Sequence, residues 1–306
     1  MQISKLAVLS ALVSSIAASP IAIHEHHVHR RNAQPVPSSA SFSDLSAAAA
    51  GAKGITYSPY ANDGNCKSAE TIQSDVSKLS SFELIRLYAT DCSGVENVLA
   101  ALGSNQKILA GLYDYNNLDS AVSTLASAVK ATSRGWDSIY AVSVGNEWVN
   151  SGSYSTSQVK SAVESGRSLL SAAGFTGPVV SVDTYVAFQN NPVLCEYSDI
   201  IAVNSHPFFD GNTEPSECGS WLLKNIQTIW ETCGGQKSVL ITEAGWPHSG
   251  SSLGVAVPSY ENQLTCIKSI QESCGSSVFM FTMYDDLWKD PGSYGVEQSW
   301  GVFSDS

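Results

Sequence analysis

Between Gly54 and Phe303 short apolar runs alternate eight times with stretches of helical period, and few architectures accept that rhythm. The runs lie near Ile55–Pro59, Leu84–Tyr88, Lys107–Tyr113, Tyr140–Val144, Val179–Asp183, Ile200–Asn204, Val239–Thr242 and Val278–Met283. They are rich in β-branched and small residues with little polar alternation, as expected of parallel strands covered on both faces. The intervening stretches Ala69–Leu79, Leu118–Thr132, Thr156–Ala173, Trp221–Thr232 and Ser259–Ser273 read as helices, several with Ser or Asp placed to cap them. Eight βα repeats in roughly 250 residues predict an α/β chain folded as a (β/α)8 TIM barrel. An open doubly wound sheet is the alternative, but it would place a Gly-rich phosphate loop after its first strand. Tyr57-Ser58-Pro59-Tyr60 stands there instead.

In such a barrel the chemistry sits where strands end, at the C-terminal face. The fourth run, Ala141-Val142-Ser143-Val144-Gly145, ends on Asn146-Glu147-Trp148, and the seventh, Ser238 to Thr242, ends on Glu243 before Ala244-Gly245-Trp246-Pro247. A Glu taken alone reads as a solvated loop acid. Two on the ends of buried strands, three βα units apart, face each other across the barrel mouth. Hydrolysis of a sugar acetal needs such a pair, one acid protonated beside the leaving oxygen and one ionised beneath the anomeric carbon. Other strand ends supply aromatic faces, amides and charges for a sugar: Tyr57, Arg86, Tyr88, His206, Trp246, Asp286, Trp288 and Lys289. His206 and His248 are too far apart in sequence to suggest a ligand cluster, so no metal is expected, and no organic cofactor is called for. Ser-His-Asp catalysis lacks its Gly-x-Ser-x-Gly elbow.

The remaining features frame this domain. Residues 1–18 have one Lys followed by an apolar run ending in small residues, the pattern of a secretory signal peptide. Residues 19–31 hold four of the six histidines and end on Arg30-Arg31, as in a pro-segment with a dibasic processing site. Residues 32–53, rich in Ser, Ala and Pro, read as a flexible linker, leaving 54–306 as the catalytic domain. A net charge of -12 repels nucleic acid but not a neutral polymer, and no later run is long enough to span a membrane. The processed chain is expected to be a secreted monomer. Seven cysteines in a secreted chain imply disulfides with at least one thiol left over. The placement of strands and helices favours Cys66–Cys92 and Cys233–Cys274.

Val144-Gly145-Asn146-Glu147 together with Ile241-Thr242-Glu243-Ala244-Gly245-Trp246-Pro247 resembles the family-17 glycoside hydrolases of clan A, which include plant and fungal β-1,3-glucanases. Gly54-Ile55-Thr56-Tyr57-Ser58-Pro59-Tyr60, Ile85-Arg86-Leu87-Tyr88 and Asp286-Leu287-Trp288-Lys289 extend the likeness, most closely to yeast cell-wall mannoproteins of that family. The resemblance implies a retaining mechanism on β-1,3-glucan with Glu147 as acid/base and Glu243 as nucleophile. It also implies that Asn146 holds the 2-hydroxyl, that Arg86 and Tyr57 line the catalytic pocket, and that Asp286 and Lys289 stand close by. A cell-wall hydrolase or transglucosylase is the reading expected. A wall mannoprotein that binds glucan with little turnover is the alternative.

Overall fold

The computed structural model describes residues 40–305, so the expected signal peptide, the pro-segment and the first part of the linker lie outside the described residues. Nine strands pair in parallel: β1 (Gly54–Thr56), β2 (Leu84–Arg86), β3 (Lys107–Leu112), β4 (Ile139–Val144), β5 (Val179–Val180), β6 (Val182–Thr184), β7 (Ile201–Asn204), β8 (Val239–Ala244) and β9 (Val278–Met280). Their order is β5-β4-β3-β2-β1-β9-β8-β7-β6, so first and last strands are neighbours and the sheet curls on itself. Strands β5 and β6 are one extended run broken at Ser181, whose amide turns from the ladder to donate to Ser198 Oγ at 2.7 Å. The first half pairs with β4 and the second with β7. That run is the single fifth strand expected from the sequence, and the chain is a (β/α)8 barrel.

Strand alternation sorts the side chains. Leu84, Leu109, Ala141, Leu240 and Phe279, from five strands, fill the barrel's inside, whereas Ile55, Ile85, Ile108, Val142 and Ile241 join the layer beneath the helices. Gly54 is required by this filling, because a Cβ there would meet the Phe279 ring at 2.4 Å. Arg86, two residues beyond Leu84, points inward as well and arrives at the mouth.

The helices are α1 (Phe42–Ala49), α2 (Ala69–Lys78), α3 (Gly94–Ala101), α4 (Leu118–Lys130), α5 (Thr156–Ala172), α6 (Tyr185–Asn190), α7 (Cys218–Thr232) and α8 (Tyr260–Cys274). Ser68, Ser155 and Ser259 cap α2, α5 and α8 through their hydroxyls, as the sequence suggested.

Two expectations need correction. The linker does not run to Lys53: α1 begins inside it, with a capping box formed by Ser41 and Asp44. Its Leu45 and Ala49 are fully buried, Phe42 packs edge-on to Tyr260 of α8, and Gln271 of α8 donates to the Ala49 carbonyl at 2.7 Å. Apolar burial and a satisfied helix end fix a segment whose composition alone reads as flexible. The second correction concerns the cysteines. Cys66–Cys92 is present as expected, but Cys233 bonds to Cys195, Cys218 bonds to Cys266, and Cys274 is the buried free thiol. Cys218 opens α7 and Cys266 sits within α8, so the bond joins the two neighbouring helices that Cys233 and Cys274 were expected to join. Cys233, just past the end of α7, reaches the turn before β7 instead.

Candidate active site

Two backbone devices aim the two acids. Glu243 is the fifth residue of β8, where the register against β7 slips between Val203 and Asn204 and against β9 between Ile241 and Ala244. A slip of this kind re-aims side chains beside functional sites. Here Thr242 Oγ1 donates to Asn204 Oδ1 at 2.8 Å while Glu243 reaches Arg86. Glu147 lies three residues past β4 in the left-handed region, with φ of 53°, a conformation costly for a residue carrying Cβ. Gly145, at φ of 81°, makes the turn, since a Cβ there would strike the Trp148 ring. The Glu147 amide donates to Val182 O at 2.9 Å, which locks the bend against β6.

Around the acids runs one hydrogen-bonded net. Arg86 is buried, and its Nη1 donates to Glu243 Oε1 at 2.8 Å, to Thr242 O at 2.9 Å and to Asn204 Oδ1 at 3.1 Å. Its Nη2 donates to Asn146 Oδ1 at 2.7 Å. Tyr88 Oη donates to Glu243 Oε1 at 2.8 Å, and the Tyr88 ring lies over the Arg86 guanidinium at 4.4 Å. Oε1 of Glu243 thus takes two donors. Oε2 faces only His206 Nε2, at 3.2 Å. Asn204 Nδ2 donates to Glu147 Oε1 at 2.7 Å and to Asn146 Oδ1 at 3.1 Å. With its oxygen doubly occupied, the Asn146 side chain keeps its amino group for a ligand.

The surroundings drive the two carboxyls apart. Desolvation, helped by the negative charge of Glu243, raises the Glu147 carboxyl from 4.5 to about 7. Burial alone would raise Glu243 too, but the Arg86 charge and the hydrogen bonds from His206 and Tyr88 outweigh it and bring Glu243 down to about 2. Near pH 5 one acid is protonated and the other ionised, facing one cavity of about 460 Å³. That division is the requirement for general-acid and nucleophilic carboxyl chemistry on one bond.

Seven of the eleven residues expected at the site line this cavity: Tyr88, Asn146, Glu147, His206, Glu243, Trp288 and Lys289. Arg86 lies beneath it. Asp286 stands behind the wall, pairing with Lys289 at 2.7 Å and accepting from Trp288 Nε1 at 3.0 Å. Tyr57 and Trp246 are corrections. Tyr57 turns away from the cavity and donates to Asp75 Oδ2 at 2.8 Å, in a buried cluster with Lys67 and Tyr284. Trp246 is fully buried, with Nε1 bonded to Val257 O at 3.0 Å and its ring edge-on to Phe208. Each follows a strand, but its side chain falls on the face turned towards the helices. Asn204 was the residue missed at the centre, although its place at the end of β7 marked it. Tyr113, directly after β3, carried the same strand-end mark, whereas Tyr60, Phe209, Glu297 and Trp300 also line the cavity and stand where no strand ends. Among the described residues no group of three or more His, Cys, Asp or Glu side chains could hold a metal.

Residues 54–301 match the family described as the BtgE/BtgC glycoside hydrolase domain. The cell surface mannoprotein MP65 of Candida albicans is 56% identical over 254 residues, covering 83% of this chain and 67% of that protein. SCW4 of Saccharomyces cerevisiae, a probable family 17 glucosidase, is 51% identical over 261 residues, covering 85% and 67%. This chain thus spans about two thirds of the length of these yeast proteins. Among solved structures, a family 17 β-1,3-glucanosyltransferase from Rhizomucor miehei superposes with a TM-score of 0.67 at 20% identity, covering 82% of this chain and 92% of that one, and so shares the fold. With its barrel, its paired acids and these relatives, the chain belongs to the BtgE/BtgC glycoside hydrolases and, with them, to glycoside hydrolase family 17.

Proposed function

We propose that the chain is a retaining β-1,3-glucan hydrolase or transglucosylase that works outside the cell on wall glucan. The observation that carries this reading is the split of the two carboxyls, one raised to about 7 and the other lowered to about 2 in one cavity. In the first step Glu147 gives its proton to the glycosidic oxygen as the bond from that oxygen to the anomeric carbon breaks. Oε2 of Glu243, the oxygen with the fewer donors, forms the new bond to that carbon. In the second step the ionised Glu147 takes a proton from water or from a sugar hydroxyl, which attacks the same carbon and releases Glu243. Asn146 offers its amino group to a ring hydroxyl, and the aromatic walls receive the apolar faces of the sugars.

Proton NMR of a fresh laminari-oligosaccharide digest tests the proposal. The β-anomer should appear first and the α-anomer only by mutarotation. Initial release of the α-anomer would overturn the retaining assignment. A Glu243→Ala variant supplied with azide should form an α-glycosyl azide, because the small anion replaces the carboxylate on the same face.

MP65 is named a mannoprotein, which favours a second reading: a wall component that binds glucan without turnover. Chromatography of incubated laminari-oligosaccharides separates the two, since hydrolysis or transfer changes their lengths and a glucan-binding wall protein would leave them intact.

A further inference from the structure

Three grooves of similar size, about 460, 440 and 440 Å³, share Glu147 in their walls. The first also contains Glu243 and extends to Trp288 and Lys289. The other two touch Glu147 and not Glu243, and they lie on opposite flanks of the loop that joins β4 to α5. One flank has Asp114, Ser151, Ser153 and Tyr154 of its own and shares Tyr113 and Asn146 with the first groove. The other has Tyr185, Val186, Phe209 and Trp221.

The dividing loop is held firmly. The amides of Val149 and Asn150 donate to the two oxygens of Asp183 at 2.8 and 3.2 Å, and Thr184 Oγ1 donates to Asn150 Oδ1 at 3.0 Å. On the Tyr113 side, Tyr154 stacks on Tyr115 at 4.2 Å with planes 15° apart and leans on the buried Trp148 at 5.1 Å. The partition between the two grooves is therefore a built wall, braced on both flanks.

A glycosidic bond has two ends. The sugar under attack must lie over Glu243, in the first groove. The leaving oxygen must lie against Glu147, with its chain running off along the acid side. One groove suffices for that chain, and the flank with Tyr185, Val186, Phe209 and Trp221 offers it the larger set of apolar pads. Resting on the glycosidase reading above, we propose that the groove between Tyr113 and Ser153 is a separate acceptor site, filled by a second β-glucan chain while the leaving chain still occupies the other flank. Tyr113, at the junction with the first groove, is 53% exposed and can stack on a sugar, and Ser151, Ser153 and Asp114 offer edges for hydroxyls. Once the leaving chain withdraws its new hydroxyl from Glu147, a hydroxyl of the bound acceptor takes that place and attacks the anomeric carbon of the glycosyl-Glu243 ester. The ester bond breaks, Glu243 regains its charge, and the hydroxyl proton passes to Glu147. An acceptor already seated gains over water by proximity.

The test uses laminaripentaose as donor and laminaritriose labelled at its reducing end as acceptor, with labelled transfer product and free sugar measured by chromatography. Ser151→Trp, which fills the groove at a residue that does not line the first one, should lower the ratio of transfer to hydrolysis by about fivefold or more while donor consumption stays within about twofold. Ser153→Trp should do the same. Tyr185→Ala, on the opposite flank, should raise the KM for donor and leave the ratio unchanged. A ratio unaltered in both Ser151→Trp and Ser153→Trp would overturn the proposal, as would a loss of donor consumption at constant ratio, which would make this groove the leaving-chain site. Binding is scored separately by calorimetry of laminaritriose on Glu147→Gln: one fewer bound trisaccharide per chain after adding Ser153→Trp supports the acceptor site, and an equal number counts against it. If the wild-type protein cleaves no laminari-oligosaccharide, the proposed function fails, and the calorimetry still decides whether a second chain binds.

Discussion

Asn204 donates from Nδ2 to Glu147 at 2.7 Å while its own Oδ1 accepts at 3.1 Å from Arg86 Nη1, the nitrogen that also holds Glu243. One side chain therefore touches the proton balance of both acids. Its bond to Glu147 favours the ionised carboxylate and works against burial. Asn204→Ala should accordingly raise the Glu147 pKa further and move the alkaline limb of the kcat/KM profile to higher pH. With Arg86 losing a partner, kcat should fall by about 10². A pH–rate series reads both effects, and an alkaline limb that moved down would contradict the role given to Asn204.

The unaltered protein should be active where Glu243 is ionised and Glu147 protonated. The limbs follow from about 2 for Glu243 and about 7 for Glu147, so activity should hold across the acidic range and fall by half near neutrality. Glu147→Gln should remove the alkaline limb for an aryl glucoside whose leaving group needs no proton. Survival of that limb in the variant would show that another group titrates there.

The same shift bears on stability. Glu147 titrates higher folded than unfolded, so its contribution is complete below its ordinary 4.5 and is lost as pH rises through about 7. Glu147→Gln cannot ionise. It should therefore be more stable than the unaltered protein at pH 8 by about 3 kcal/mol, with the difference shrinking towards pH 4. Urea denaturation at the two pH values checks the sign. Glu243 behaves oppositely: its depressed pKa adds stability above 4.5 that is lost as pH falls through about 2.

Removing the guanidinium should show how the nucleophile is held. Arg86→Met takes away the main influence that lowers Glu243, so the acidic limb should climb. The buried carboxylate would also lose its ion pair, at a cost of about 3 kcal/mol in denaturant unfolding.

Thiol chemistry separates the observed bonding from the pairing expected first. With three disulfides and Cys274 buried, an aromatic disulfide reagent should find no thiol in the folded protein and one per chain in denaturant. Peptide mapping should recover Cys218 joined to Cys266. Recovery of Cys233 joined to Cys274 would reverse the correction.

The barrel and both acids were legible because buried parallel strands are written as unbroken apolar runs, and an acid at the end of such a run is conspicuous. The net that divides the acids' charge was not. It depends on Arg86 crossing the barrel from β2 to reach residues on β7 and β8, a distance that spacing along the chain does not encode. Tyr57 and Trp246 were misplaced because nearness to a strand end ignores the alternation: Tyr57 lies two residues past the outward Ile55, and Trp246 three past the inward Glu243, so both fall on the outward face. The second cysteine pair failed because Cys233–Cys274 and Cys218–Cys266 would each join α7 to α8, and only the rotation and register of the two helices choose between them. Helix α1 could have been found: Ser41 and Asp44 form a readable capping box, and Leu45 and Ala49 share a face, but the Ser- and Ala-rich surroundings masked both signals.

Where packing begins also decides how the protein can be produced. The family match starts at Gly54, yet Phe42, Leu45 and Ala49 close over α8 from upstream of that boundary. A chain trimmed to the matched segment would present bare apolar side chains of α8 to solvent and leave the Gln271 carboxamide without its acceptor, inviting aggregation during expression. Starting the recombinant protein at Ser41 or earlier retains the cap and the covering helix, so the practical edge of this enzyme lies a dozen residues ahead of its family signature.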